Sequence, residues 1–365
     1  MGRVLMTAAA LALGASAAGA GGVERSTQSV AILFEQGNYA ELSYGSFSPD
    51  VSGTVGGGTI GSGDMAGDYS TYSLGVKTAL NDKLDLALIL DQPIGADVDY
   101  PSGGLYPLRG STATLDSTAI TALLRYKLPQ NFSIIGGLRL QESSGVVALN
   151  ILPPAPDTFV YGMSTSTERD LGYVLGVAWE KPEIAARVAL TYNSAITHDF
   201  VSRETVSGGY VPAPGFSTTV PQSLNLEFQT GIAPDTLLFG SVRWVEWTAF
   251  RIDPVVYHTA LGSPLVDYDD DVVTWNLGLG RKFNDNWSGA VLLGYEKTNS
   301  APTGNLGPHS GMKSIGLAAT YTQDAMKVTA GVRYVEIGEA TTKGIGGVFT
   351  DNSGFGWGLR VGYSF

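Results

Sequence analysis

Three histidines, His198, His258 and His309, are the side chains in this 365-residue sequence best suited to moving protons near neutral pH, and the chain has no cysteine. A hydrolase needs a hydroxyl, an imidazole and a carboxylate brought together. His198 is followed by Asp199 and preceded by Asn193 and Ser194, the one cluster of that composition. All three histidines fall at strand tops or in external connections, so they read as a polar rim rather than as catalytic groups. Asp267, Asp269, Asp270 and Asp271 supply the oxygens that calcium prefers, but the run lacks the glycine turn and distal glutamate of a calcium loop. It reads as a solvated outer loop. Gly56-Gly57-Gly58 is followed by neither Lys-Ser/Thr nor a helical pattern, so it is not a phosphate cradle. The lack of cysteine excludes disulfides, thiolate metal sites and thiol nucleophiles. A pI near 4.7 argues against nucleic acid. The sequence therefore reads as a non-enzyme with no cofactor and no metal site.

The elements that carry these residues have a period of two. Trp357, Leu359, Val361, Tyr363 and Phe365 alternate with Gly358, Arg360, Gly362 and Ser364, which puts an apolar, aromatic face opposite a small or charged one. The same alternation recurs at Ile120–Leu128, Phe132–Gln141, Leu171–Glu180 and Met326–Tyr334. Short polar turns and long irregular segments alternate between these runs. The predicted strands are 38–53, 67–80, 83–98, 112–128, 131–149, 165–180, 184–200, 217–233, 236–252, 270–283, 286–298, 311–322, 326–340 and 353–365. An even strand number, short turns on one side and long loops on the other describe a transmembrane barrel. The fold class is all-β: a 14-stranded antiparallel transmembrane β-barrel with a short N-terminal plug segment. Only 15% of residues are charged and the mean hydropathy is +0.09, as expected when one face meets lipid and the other a polar lumen.

Residues 1–20 read as a secretory signal peptide, with Arg3, a short apolar stretch and small residues through Ala20. Residues 21–37 form a short hatch-like segment and 38–365 the barrel. Val30, Ala31, Ile32, Leu33 and Phe34 make that segment too apolar for a periplasmic tail. It is either a plug, with Glu24 and Arg25 meeting lumen charges, or an early start to the first strand. Arg125, Lys127, Arg139, Arg187, Glu227, Arg243, Glu246, Lys282, Glu296, Arg333 and Arg360 fall on the small-residue faces. Facing lipid near the midplane each would cost up to about 2–4 kcal/mol, which places them in the lumen. There they either pair across the barrel or meet an anionic headgroup. Leu149 to Tyr161 and Val211 to Phe216 are unexpectedly apolar for external loops. They either form a docking groove for a hydrocarbon or pack on each other.

Val30 to Gly53 resembles the junction between hatch and first strand in the FadL/TodX family of outer-membrane transporters of hydrophobic compounds, and the run Gly63 to Tyr69, continuing through Leu84 to Asp97, shares that resemblance. The resemblance implies a plugged fourteen-stranded barrel, ligand capture between external loops, an interior pocket and lateral exit at an inward kink in strand three. By position the kink falls at Gln92, Pro93, Ile94 and Gly95; proline lacks the N–H a ladder needs. The segment before strand one is shorter than that family's hatch, and Gln28-Ser29-Val30-Ala31 stands where the family carries Asn-Pro-Ala.

The functional expectation is passive uptake of hydrophobic small molecules, most of all long-chain fatty acids, across the bacterial outer membrane. Leu152, Phe159, Tyr161 and Phe216 would capture the apolar tail, Phe34 and Ile94 would line the exit, and Arg125 or Arg139 would meet a carboxylate. Gln92, Pro93 and Gly95 would form the lateral gate. The expected partners are the lipophilic ligand, outer-membrane lipid and lipopolysaccharide, and the barrel assembly machinery through the C-terminal strand. A general diffusion porin or structural barrel is the alternative.

Overall fold

A computed structural model describes residues 22–153 and 158–365. The secretory-signal reading of residues 1–20, and Pro154, Ala155 and Pro156 of the apolar loop, lie outside the described residues. Fourteen antiparallel strands close into one barrel: β1 (Tyr39–Asp50), β2 (Tyr69–Asn81), β3 (Leu84–Asp91), β4 (Thr112–Lys127), β5 (Phe132–Ile151), β6 (Glu168–Lys181), β7 (Ala186–Asn193), β8 (Ser223–Ala233), β9 (Thr236–Val245), β10 (Val272–Lys282), β11 (Trp287–Glu296), β12 (Met312–Gln323), β13 (Met326–Ile337) and β14 (Asn352–Ser364). β1 pairs with β14 from Tyr39↔Ser364 to Asp50↔Ser353, so the main sheet has no free edge there. Every neighbouring pair is joined by a short turn or a long loop in the order expected from the sequence.

The alternation sets the two faces. Leu42, Leu74, Leu124, Leu138, Leu175 and Leu359 are exposed on the outside. Arg125, Arg139, Arg187, Glu227, Arg243 and Arg360 are buried within. This matches a lipid-facing band around a charged lumen. Tyr44 of β1 and Trp357 of β14 touch at 5.7 Å between ring centres, part of the aromatic fringe at the outer end of that band.

Three predicted strands are broken: 236–252 stops at Val245, before the 3-10 turn Trp247–Ala249, and the other two breaks bear on the site. β3 runs only to Asp91 and resumes at Ala96–Asp99, both pieces pairing with β4. Asp91 faces Ala119 and Ala96 faces Leu115, so five steps along one strand match four along the other. That extra residue is a bulge. On the other side the β2–β3 ladder stops at Leu74↔Leu90, and backbone pairing resumes at the bridge Ala66↔Val98. The expected single strand 184–200 is likewise interrupted. β7 ends at Asn193, and Ile196–Phe200 forms its own hairpin with Phe216–Val220. Ser194 causes this break: its backbone N–H donates to the Tyr173 carbonyl, and its Oγ accepts the Tyr173 N–H, 2.9 Å each. Gly172 leaves the room; a Cβ there would meet Ile196 at 2.7 Å. The hairpin can therefore fold over the lumen.

The segment before β1 is a plug rather than an early strand. Ala31–Phe34 forms a 3-10 turn with Ile32, Leu33 and Phe34 buried. These residues pack with Tyr39, Ala87, Leu123, Ile135 and Val174 inside the barrel. At the opposite end, the long loops make an apolar cap of their own. Tyr100 stacks on Tyr106 at 5.5 Å, and Tyr161 packs edge-on against Tyr257 of helix α1 (Val255–Leu261) at 5.2 Å. Beneath them Glu204, fully buried, accepts hydrogen bonds from Tyr161 Oη at 2.8 Å, Ser202 Oγ at 3.2 Å and the Val256 N–H at 3.1 Å.

Candidate functional site: an apolar cavity beside a broken strand

The two breaks face one cavity. Its walls include Ile94 and Val98 from the β3 region, Phe200 and Phe216 from the folded-in hairpin, and Phe250 and Leu265 from the external cap. It opens in part to solvent, and its lining is mostly apolar with a few placed polar groups, the make-up of small-molecule sites.

The broken stretch of β3 is held by groups that replace a ladder. Ile94 N–H donates to Ser117 Oγ at 2.9 Å, and the same hydroxyl donates to the Ile94 carbonyl at 2.6 Å. Pro93 offers its carbonyl to the Arg25 N–H at 2.9 Å, and Gly95 N–H donates to the Val23 carbonyl at 2.8 Å. Gln92 Oε1 accepts the Tyr72 N–H at 3.1 Å across the break. The sequence places proline where no N–H is available and glycine where a side chain would strike the plug: a Cβ on Gly95 would meet Arg25 Nε at 2.6 Å. The break lies at the outer end of the apolar band, since Ile120 and Leu124 of β4 face outward below it and the outward Asp116 beside it is charged.

Charges in the lumen fasten the plug. Glu24 accepts from Arg243 Nε at 2.7 Å, and Arg25 pairs with Asp97. Ser26 Oγ donates to Asp91 at 2.6 Å, Asn225 Nδ2 donates to the Thr27 carbonyl at 2.6 Å, and Ser29 donates to Glu227. Arg139 donates to Gln28, and Arg125 donates to the Leu33 carbonyl at 3.2 Å while pairing with Glu180. Phe34 lies between two guanidiniums, 4.3 Å from Arg125 and 4.5 Å from Arg187. Arg125 and Arg139, expected to meet a ligand carboxylate, are thus spent on the plug. Phe34 is at its base, remote from the described cavity lining.

The remaining expected residues divide between cavity and cap. Ile94 and Phe216 line the cavity. Phe159 and Tyr161 pack against Tyr257 in the cap, and burial together with the Glu204 hydrogen bond holds the Tyr161 phenol far above its ordinary pKa. Leu152 is half-buried at the loop tip, its N–H on the Pro107 carbonyl. The acidic run ties loops together: Lys343 pairs with Asp267 and Asp269, and Thr248 donates to Asp271 at 2.7 Å. His258 meets Asp253 at 2.7 Å on the external surface.

His198 is not part of an exposed rim. It is 1% exposed, on the cavity wall, and its partner is Asp170 rather than the adjacent Asp199. Nδ1 lies 2.7 Å from Asp170 Oδ2, and Nε2 lies 3.4 Å from Ser143 Oγ. Ser143 and Asp170 were missed in the sequence because they sit on β5 and β6, far from His198 along the chain. Only the inward phase of those strands could have pointed to them. The order carboxylate, imidazole, hydroxyl is that of a hydrolase, but the serine contact is long. The Gly145 N–H beside it is spent on Thr165 Oγ1 at 2.9 Å. The arrangement serves as a polar patch in an apolar wall.

The sequence matches no family model and no curated protein. The fold has close counterparts among solved structures. A FadL homologue of Pseudomonas aeruginosa superposes with a TM-score of 0.74 over 92% of each chain at 16% identity. The toluene transporter TodX of Pseudomonas putida gives 0.66 over 97% of this chain and 98% of its own at 12% identity. The toluene transporter TbuX of Ralstonia pickettii gives 0.62 over 91% and 90% at 12% identity. Two of these neighbours are described as toluene transporters, and across such identities the likeness is one of architecture. The chain has the fold of the FadL-type outer-membrane transport barrels.

Proposed function

We infer that this protein lets hydrophobic small molecules, long-chain fatty acids among them, cross the bacterial outer membrane down their concentration gradient. The observation that carries this reading is the apolar cavity placed against the break in β3, at the outer end of the lipid-facing band. A molecule leaving the cavity past Ile94 reaches lipid without crossing the charged lumen below. External loop residues such as Leu152 and Phe159 would present the first apolar surface, and Phe216 the next. Lateral release beside Gln92, Pro93 and Gly95 requires the plug to withdraw from those backbone groups. The lipid, lipopolysaccharide and assembly-machinery contacts expected from the sequence belong to the same reading. The fold neighbours include proteins described as toluene transporters, which supports a lipophilic cargo.

Uptake of labelled oleate, labelled toluene or both by cells expressing the protein should exceed that of cells lacking it by several fold. Equal uptake of oleate, together with equal uptake of toluene, would overturn the reading. The porin alternative predicts a large, stable, ohmic conductance in planar bilayers. The tethered plug favours a closed barrel instead.

A further inference from the structure

The cavity wall is mostly apolar, and among its polar residues Ser143, His198 and Thr218 form one buried patch. His198 and Thr218 face each other across the two-stranded hairpin, and each is at least nine-tenths buried, as is Ser143. Asp170 accepts hydrogen bonds only, so its contact with His198 Nδ1 places a proton on that nitrogen and leaves Nε2, in the neutral ring, as an acceptor. Nε2 faces Ser143 Oγ at 3.4 Å, and Gln141 Nε2 approaches the same oxygen at 3.4 Å. Thr218 Oγ1 is buried with no hydrogen-bond partner among the described residues. An unpaired buried hydroxyl is costly, and a ligand oxygen that pairs with it removes that cost.

Charge selects the kind of oxygen. Among the described residues, the cavity lining includes no lysine or arginine. It does include Asp267, and Lys343 beside it is already held between Asp267 and Asp269. Arg139 and Arg243 are engaged by the plug at Gln28 and Glu24. A carboxylate in this cavity would be desolvated without a free cation, with Asp170 behind the imidazole opposing it. A hydroxyl can donate to His198 Nε2 or Ser143 and accept from Thr218, satisfying both sides of the patch.

Resting on the uptake reading above, we propose that the cavity selects uncharged hydrophobic molecules bearing a hydroxyl group, aliphatic alcohols or phenols, over both plain hydrocarbons and ionised carboxylates. Ser143, His198 and Thr218 are the specificity-determining side chains, and Asp170 is a positioning residue that sets the imidazole tautomer. The apolar tail occupies the wall formed by Ile94, Phe200 and Phe216.

The test is a competition on the purified full barrel in detergent at pH 8, where dodecanoate is ionised. Dodecane, dodecan-1-ol and dodecanoate are supplied together, and retained ligand is measured by mass spectrometry against a protein-free micelle blank. The expected wild-type result is at least fivefold more alcohol than alkane above blank, with dodecanoate lowest. In Ser143→Ala/Thr218→Val the alcohol-to-alkane ratio should fall to about one while alkane retention persists. Folding of the variant is checked by heat-modifiable mobility in electrophoresis. Equal retention of alkane and alcohol by wild type, or dodecanoate above dodecan-1-ol, overturns the proposal while leaving lipophile uptake standing. Retention of none of the three above blank overturns both. The wild-type ranking decides even where the variant does not fold.

Discussion

The guanidinium of Arg25 lies 4.1 Å over the ring of Tyr69. Tyr69 opens β2 on one lip of the break, and Asp97, the ion-pair partner of the same guanidinium, stands on the other. One plug side chain therefore spans the opening. Arg25→Ala should loosen the lips without disturbing the ladders below Leu74↔Leu90. The expected outcome is a rise of several fold in lipophile uptake, with heat-modifiable mobility unchanged. Unaltered uptake in a folded variant would show that Arg25 does not control the opening.

Ser117 carries both backbone groups of Ile94. Ser117→Ala leaves a buried N–H and a buried carbonyl unsatisfied, at a cost of about 1–3 kcal/mol each if water does not enter. The urea midpoint of the detergent-solubilised barrel should fall accordingly. The backbone amides of residues 92–96 should exchange hydrogen faster.

Phe34 loses two cation contacts and its packing on truncation. Phe34→Ala should destabilise the plug base by about 3–5 kcal/mol, the range for large aromatic deletions in a packed interior. Hydrogen exchange would show lost protection across residues 30–37, while the exchange of β9 to β12 stays as in wild type.

The cap depends on one buried carboxylate. Glu204→Ala strips the Tyr161 hydroxyl and the Val256 N–H of their acceptor, again about 1–3 kcal/mol apiece. Trypsin should then cleave faster after Arg251, which is exposed just before helix α1. An unchanged cleavage rate would mean that the cap is held chiefly by its aromatic packing.

Alkali should reach the same cap. Burial pushes the phenol of Tyr257 up to about 12 and does the same for Tyr106. A folded pKa above the unfolded value near 10 means that their stabilisation is fully present below pH 10 and is lost as pH rises through about 12. Absorbance at 295 nm should show tyrosines that resist ionisation until the cap opens. Tyr257→Phe should move that opening to higher pH.

How much of this was legible depends on whether a feature is local. Alternation along Trp357 to Phe365 announces a two-faced strand because period two is written in neighbouring residues. Pro93 and Gly95 likewise mark the break in β3 by their own backbone chemistry. The break after Asn193 was not visible, since Ile196, His198 and Phe200 keep the same alternation as β7. It is Ser194 on the Tyr173 backbone and the space over Gly172 that redirect the chain. Arg125 and Arg139 were correctly placed in the lumen, yet their partners lie 92 and 111 residues away on the plug. Lumen charge is readable from phase, whereas what it grips follows from closure of the barrel.

The 3-10 turn Ala31–Phe34 also acts as spare length. A 3-10 residue advances about 2 Å and an extended one about 3.3 Å, so four residues store about 5 Å of reach. The plug is pinned below by Gly37, whose carbonyl takes Lys77 Nζ at 2.7 Å, and above by Val23 and Arg25 on the β3 backbone. Paying out the turn would add about one and a half strand positions to the reach of Arg25 while the lower pin stays fast, once the lumen contacts of Ser26, Thr27, Gln28 and Ser29 let go.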